Sequence, residues 1–239
     1  TFLITKDVSV LLEIAGIGPL VGVMPLPYSK KYEGLATGIV DVFDNLGKRV
    51  SLAYMRGANT RIEALKTGRY DFAIVSLMAA AEATDHNKGL EVVKTFGPAS
   101  YVTEHKVFFS DPHKWRIEPG MRIGIDRSSP DQANITLREC EGIAVQFVDT
   151  NYMHLFDMLK QRELDAAVWN VDEVRSVQTF QTGDFQSAEA RALARQTSEA
   201  AIIVDANRYE VKEQIVLLDV KTVREAQQSV ERGDRFPRY

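Results

Sequence analysis

Leu65-Lys66-Thr67-Gly68-Arg69-Tyr70-Asp71-Phe72-Ala73-Ile74-Val75 returns 94 positions later as Leu159-Lys160-Gln161-Arg162-Glu163-Leu164-Asp165-Ala166-Ala167-Val168-Trp169. The Leu, Lys, Asp and one Ala are identical, and Ile74 aligns with Val168. Each copy reads as a helix end, a short turn, an aspartate, and a buried strand with a small residue where helices pack on it. A unit used twice in one chain predicts two similar α/β lobes rather than one continuous sheet.

The surroundings of each copy fit that reading. Before the first, Leu20–Met24 is a short apolar strand ended by Pro25 and Pro27. Ser29 then caps a helix whose Tyr32, Leu35, Ala36, Ile39, Phe43 and Leu46 form one stripe, with Gly47 at its close. A strand follows over Arg49–Met55. Thr60-Arg61-Ile62-Glu63 has the Thr-x-x-Glu spacing of a capping box, which starts the next helix. Before the second copy, Met121–Asp126 is a strand, and Ser129-Pro130-Asp131-Gln132 is a helix start with Pro at the first helical position. Val145–Val148 is again a strand, and Asp149-Thr150-Asn151 again a helix start. Strand and helix alternating in this way predict parallel sheets with right-handed crossovers.

Val92–Ser110 holds apolar residues able to cross from one lobe to the other, and Ala200–Val204 a second set able to cross back. The expected organisation is therefore residues 18–100 with 205–239 as lobe one and 101–204 as lobe two, two parallel-sheet lobes joined by two crossover strands. Val223, Ala226 and Val230 mark a last helix that needs a core beneath it. Two crossings make a hinge, and hinged lobes enclose a cleft.

Composition narrows what that cleft does. The chain has 239 residues, 45% hydrophobic and 26% charged, with 29 Lys plus Arg against 33 Asp plus Glu and a net charge of −4. That is a globular composition, and a mildly acidic surface is a poor one for holding nucleic acid unaided. No apolar run approaches the roughly 18 residues of a membrane span. Cys140 is the single cysteine, which excludes an internal disulfide and a cysteine-rich zinc site and reads as a small, semi-buried thiol. His86, His105, His113 and His154 show no metal-ligand spacing, and neither GxSxG nor GxxxxGK[ST] occurs. No cofactor or metal is expected, and binding is favoured over catalysis.

Ligands of open parallel sheets sit beyond the carboxyl ends of the strands. The junctions there bring Pro27, Tyr28 and Ser29, then Arg56, Gly57, Asn59 and Thr60, then Asp126, Ser128 and Ser129, with Ser76, Trp169 and Asn170 just at the ends of the repeated strands. Helix N-termini at the mouth present unpaired N–H groups and a positive dipole end, which suit an anionic or polar metabolite, and Arg56 adds a bidentate donor. Each residue also has a plainer use. Ser29, Thr60 and Ser129 are first of all helix caps, Arg56 an ion-pair partner at the surface, Ser76 and Asn170 turn residues, Trp169 core, and Tyr28 a cover for the sheet. Asp126 with Asp149 is either a carboxylate pair or two solvated caps.

The Leu-Lys-x-Gly-x-x-Asp-x-Ala-Ile pattern resembles the type 2 periplasmic-binding-protein fold, which is shared by solute receptors and by effector domains of bacterial regulators. Gly22-Val23-Met24-Pro25-Leu26-Pro27-Tyr28-Ser29, Tyr54-Met55-Arg56-Gly57-Ala58 and the closing Glu231-Arg232-Gly233-Asp234-Arg235-Phe236-Pro237-Arg238-Tyr239 resemble the C-terminal domain of YhfZ-type proteins. The resemblance implies a bacterial, cytoplasmic transcription regulator whose DNA-binding helix-turn-helix lies upstream of Thr1, and it carries over no ligand residues. Residues 1–17, with Val8, Leu11, Leu12 and Ala15 on one face, would then be a linker or a segment that forms a homodimer. Two other functions share the cleft. One is an exported solute receptor of a transporter, and the other an enzyme on the same scaffold.

Overall fold

The computed structural model describes residues 18–172 and 180–239. The expected linker or dimer-forming segment, residues 1–17, lies outside them. Two five-stranded sheets carry the fold. The first is built from β1 (Leu20–Met24), β2 (Val50–Tyr54), β3 (Phe72–Ser76), β4 (Leu90–Thr95) and β10 (Ala200–Asp205), in the order β2-β1-β3-β10-β4. The second is built from β5 (His105–Phe109), β6 (Arg122–Ile125), β7 (Gln146–Asp149), β8 (Ala166–Asn170) and β9 (Gln181–Gly183), in the order β7-β6-β8-β5-β9. Three strands of each sheet pair in parallel, as the alternation predicts; β10 in the first sheet and β5 in the second run against them, and each pairs antiparallel on both sides, so that β4 and β9 share the direction of the first three. The strand Ala200–Asp205, most of it inside the span expected for lobe two, is hydrogen-bonded between β3 and β4 of the first sheet. An apolar run with no period of its own goes where an open strand edge awaits it, which local sequence does not encode.

Eight helices cover these sheets among the described residues: α1 (Lys30–Asn45), α2 (Ala58–Lys66), α3 (Leu77–His86), α4 (Pro130–Glu139), α5 (Leu155–Lys160), α6 (Ala188–Thr197), α7 (Tyr209–Val216) and α8 (Val220–Arg232). Helix α1 starts where expected, with Ser29 accepting from the Tyr32 N–H at 3.3 Å. Its stripe buries Tyr32 through Phe43, while Leu46 stays 44% exposed beyond its end. Helix α8 finds its core on α1. A Cβ added to Gly34 would stand 2.7 Å from the Gln227 carbonyl oxygen, and one on Gly38 2.6 Å from that of Val223, so the two backbones touch only because glycine lies between them. Buried Gln227 then ties α8 to the Lys31 and Ser100 carbonyls at 2.9 and 2.8 Å.

The duplicated aspartate has a definite job. The Asp71 N–H donates to the Val21 carbonyl at 2.8 Å while its Oδ2 accepts from the Val21 N–H at 2.7 Å. Asp165 does the same to Arg122, at 2.9 and 2.8 Å. Each thus closes the start of one parallel strand pair, β1 with β3 and β6 with β8, where the ladder alone would leave backbone groups unpaired. The turn before it is duplicated too. Gly68 has φ of 72° and its counterpart Arg162 has φ of 60°, both in the left-handed region at a helix end. A side chain there costs roughly 1 kcal/mol, so Arg162→Gly is expected to stabilise the protein by about 0.5–1 kcal/mol, read as a raised denaturation midpoint at unchanged m-value. A lowered midpoint would show that the arginine stem contributes more packing than the backbone strain costs.

No helix among the described residues is long and apolar enough to cross a membrane. Cys140 is buried, which pushes its thiol up to about 12 and leaves it inert.

Candidate functional site

A cavity of about 290 Å³ opens between the lobes, near the lower end of the range for small-molecule sites. The sequence reading places nine of its candidates on the wall: Tyr28, Arg56, Gly57, Thr60, Asp126, Ser128, Ser129, Trp169 and Asn170. Pro27, Ser29, Asn59 and Ser76 are not part of the lining. Ser29 acts as the cap of α1. Ser76 is not a turn residue but the last of β3 and the cap of α3, accepting from the Ala79 N–H at 3.0 Å.

The first-lobe wall is cationic. Helix α2 starts at Ala58, two residues before the expected capping box, and its cap is Gly57 at φ 76°, which offers no side chain to the helix. Thr60 therefore falls inside the first turn, exposed. Arg56 stands beside this uncapped N-terminus, exposed, on the cavity wall, with no hydrogen bond or ion pair among the described residues. Below it lies Arg61, which is 3% exposed. Its guanidinium donates from Nε to the Ile74 carbonyl at 3.0 Å, from Nη1 to the Met55 carbonyl at 2.8 Å, and from Nη2 to the Tyr101 hydroxyl at 2.7 Å. It thereby fixes the end of β3, the loop after β2 and the passage to the second lobe. A file of rings, Tyr28, Tyr32 and Tyr101, packs edge to face along the same wall at 5.8 and 5.3 Å.

The second-lobe wall is acidic and rigid. Ser129 holds the cap position of α4, but its side chain makes no cap hydrogen bond. Gln132, spaced for a capping box, instead accepts from the Asp126 N–H at 2.8 Å and donates to the Gly124 carbonyl at 3.1 Å, which welds α4 to the end of β6. Asp126 is buried and accepts from the Ser128 N–H and hydroxyl at 2.9 and 2.6 Å. Asp149 does not join it in a carboxylate pair. It pairs with Arg127 at 2.6 Å near the surface, and the expected helix start after it is a 3-10 turn before the short α5. Asn170 accepts from the Asp172 N–H at 3.1 Å, the turn role foreseen for it, while also lining the cavity. Trp169 combines both of its readings, packing on Phe156 at 4.8 Å and presenting an edge to the cavity.

Two further groups complete this wall. Asp131 Oδ1 accepts from Ser76 Oγ across the cleft at 2.6 Å, a direct bond between the lobes. Burial between them raises its carboxyl to about 6, against the Ser76 bond and the Arg61 charge that pull it down, with Glu82 adding to the rise. His105 is buried and pushed down to about 4 by that burial, so it is neutral near pH 7. The Thr197 hydroxyl donates to the Ala194 carbonyl at 3.0 Å and so accepts from His105 Nδ1 at 3.0 Å. The imidazole proton is therefore on Nδ1 and Nε2 carries a lone pair.

Arg61, Tyr101, His105 and Asp131 were not among the residues singled out from sequence. Arg61 had a signal. Ala58, Arg61, Ile62 and Leu65 fall at i, i+3, i+4, i+7, so an arginine interrupts the buried stripe of its helix. Asp131 and His105 had none, because their environment is built by the opposite lobe and by α6.

A protein-family model described as the YhfZ C-terminal domain matches residues 7–239. Uncharacterized protein YhfZ of Escherichia coli K12 is 32% identical over 245 aligned residues, spanning all of this chain and 77% of that one. The crystal structure of YhfZ from Shigella flexneri superimposes with a TM-score of 0.79 at 30% identity over 97% of each chain. The aliphatic sulphonate binding protein SsuA of Escherichia coli superimposes with a TM-score of 0.66 at 14% identity, over 90% of this chain and 74% of that one. The architecture is that of type 2 periplasmic binding proteins.

Proposed function

Because the chain belongs to the YhfZ C-terminal domain family, we propose that it is the effector-binding domain of a bacterial transcriptional regulator, closing on a small polar metabolite that carries an anionic group. The observation that carries the ligand part is the first-lobe wall. Arg56 and the uncapped N-terminus of α2 face one cavity, and among the described residues Arg56 is committed to no carboxylate. Amide N–H groups at a dipole's positive end beside a guanidinium form a receptor for carboxylate, sulfonate or phosphate. The regulatory part rests on the resemblance to regulators that carry a separate helix-turn-helix. DNA contact is assigned to that other domain, in keeping with the net charge of −4 here. In this reading the domain acts in the cytoplasm as a homodimer and catalyses nothing. To carry a switch from 1:99 to 99:1, the metabolite must favour one arrangement by about 5.5 kcal/mol.

The test is thermal unfolding of the chain against inorganic phosphate, sulfate, carboxylates, sulfonates and their amino-substituted analogues. A binding member at about 100 times its Kd adds about 2.7 kcal/mol of stability. Arg56→Ala is expected to leave the unliganded melting temperature unchanged, since Arg56 has no hydrogen bond or ion pair to lose among the described residues, and to weaken binding about 10- to 100-fold. The reading is wrong if no member shifts the transition, or if Arg56→Ala leaves the Kd of a binding member unaltered. For the regulatory part, the full-length protein's grip on its operator must change when that member is added.

A further inference from the structure

The second-lobe wall is the wrong chemistry for a ligand that is only an anion. Asp126 and Asp131 are carboxyls and His105 presents a lone pair, so strong acceptors stand on this wall opposite the guanidinium of Arg56. Asp131 spends Oδ1 on Ser76, and Oδ2 has no partner among the described residues. His105 spends Nδ1 on Thr197, and Nε2 has no partner among them either, although the residue is 91% buried and lines the cavity. Both acceptors stand on the cavity wall, and a ligand N–H that covers them takes the place of the water it displaces.

Building on the anion-receiving reading of the first lobe, we propose that the ligand is a zwitterion whose cationic nitrogen, bearing N–H, is received on the second-lobe wall by Asp131 Oδ2 and His105 Nε2. One end of the molecule then meets Arg56 and the start of α2, and the other end meets α4 and β5. Binding links the lobes through the ligand as Ser76 and Asp131 already link them directly. An ammonium or guanidinium fits, since each donates to two acceptors at once. A quaternary ammonium does not, because it has no proton for Nε2.

The wall also sets the pH dependence. Ligand nitrogen needs Asp131 ionised, and with that carboxyl near 6 the zwitterion binds about tenfold more weakly at pH 5 than at pH 7. The groups facing Asp131 are Arg61 of α2, Ser76 and Glu82 at and along α3, and no group on α4 itself supplies a cation to it. His105, near 4, stays neutral through this window. A ligand that is purely anionic has the opposite slope, because protonating Asp131 removes a repulsion.

The experiment is calorimetry on the chain with three sets of probes. These are α-amino acids, taurine and O-phosphoethanolamine; their N-trimethyl counterparts; and inorganic phosphate, sulfate and simple carboxylates. The first set is expected to contain the binders, with affinity falling below pH 6. Asp131→Asn, which keeps an oxygen for Ser76, weakens them tenfold or more, and His105→Phe removes the preference over trimethylated probes. Binding by the anion set with equal strength, or an affinity indifferent to Asp131→Asn in a variant that melts normally, overturns the zwitterion and leaves the anion-receiving cleft standing. Silence of all three sets removes the cleft reading and this proposal together.

Discussion

Replacing Arg61 by Met is expected to destabilise the protein by about 3–5 kcal/mol and lower its melting temperature by about 6–15 °C for a chain of this size. Three acceptors lose a charge-assisted donor at once: the Ile74 and Met55 carbonyls and the Tyr101 hydroxyl. Each such bond is worth roughly 1.5–3 kcal/mol, and Met, of similar length, recovers packing but no donor. Part of that loss is offset, because a buried guanidinium no longer has to be desolvated. Lysine is not expected to rescue, since one ammonium cannot span acceptors on β3, on the loop after β2 and on the inter-lobe passage. A melting temperature within a degree or two of wild type, or full rescue by Arg61→Lys, would mean that the three-point brace is structurally idle. The variant has a second readout at the site. The Arg61 charge helps hold the Asp131 carboxyl down, so its removal raises that group further.

The second large effect is expected at the duplicated aspartates. Asp71→Ala and Asp165→Ala each unpair a backbone N–H at the start of a parallel strand pair and remove one carboxylate partner of an arginine, Arg208 at 3.0 Å from Asp71 and Arg122 at 2.9 Å from Asp165. A stranded amide costs about 1–3 kcal/mol and the half-exposed ion pair adds at most about 1, so a loss of 2–4 kcal/mol is expected for each. Because the two sites lie in different lobes, the double variant should lose the sum. Asn in place of Asp keeps an acceptor and should recover the amide part alone. Asp165 also sets a pH limb. Its bond to Arg122 holds the carboxyl below the usual range, so its stabilisation is present above that range and disappears as pH falls through the lowered value. Additive losses in chemical denaturation, recovered in part by Asn, are the required outcome. An Ala variant as stable as wild type at either position defeats the stitch.

These two sites mark how far the sequence reaches. The aspartate stitch is local. It joins the end of one repeated unit to the strand beside it, and so it surfaces as a repeated letter. The alternation of β1, α1, β2, α2 and β3 is legible for the same reason, since each element's period depends on its own residues. What depends on partners distant in the chain is not legible. Gly34 and Gly38 read as weak points in a helix until α8 arrives more than 180 residues later to lie against them. Thr60 and Ser129 look like caps because the letters fit, while backbone geometry passes one role to Gly57 and turns Gln132 toward β6. In the cleft, Arg56 is legible as a charge in a loop, whereas the surroundings of Asp131 on the cavity wall include Ser76, 55 positions away.

The place of β10 has a consequence for how the protein comes into being. Among the described residues the second sheet uses only those between 105 and 183, so that lobe can close on itself as soon as its own stretch has left the ribosome. The first sheet cannot. Its middle, between β3 and β4, waits for Ala200–Asp205, and α1 waits longer still for α8. Through most of synthesis β3 and β4 show bare backbone edges flanked by apolar side chains, the surface on which nascent chains stick to one another. The half made first is thus the half finished last. A chain interrupted just before residue 200 would carry the whole second sheet attached to an adhesive, unfinished first one.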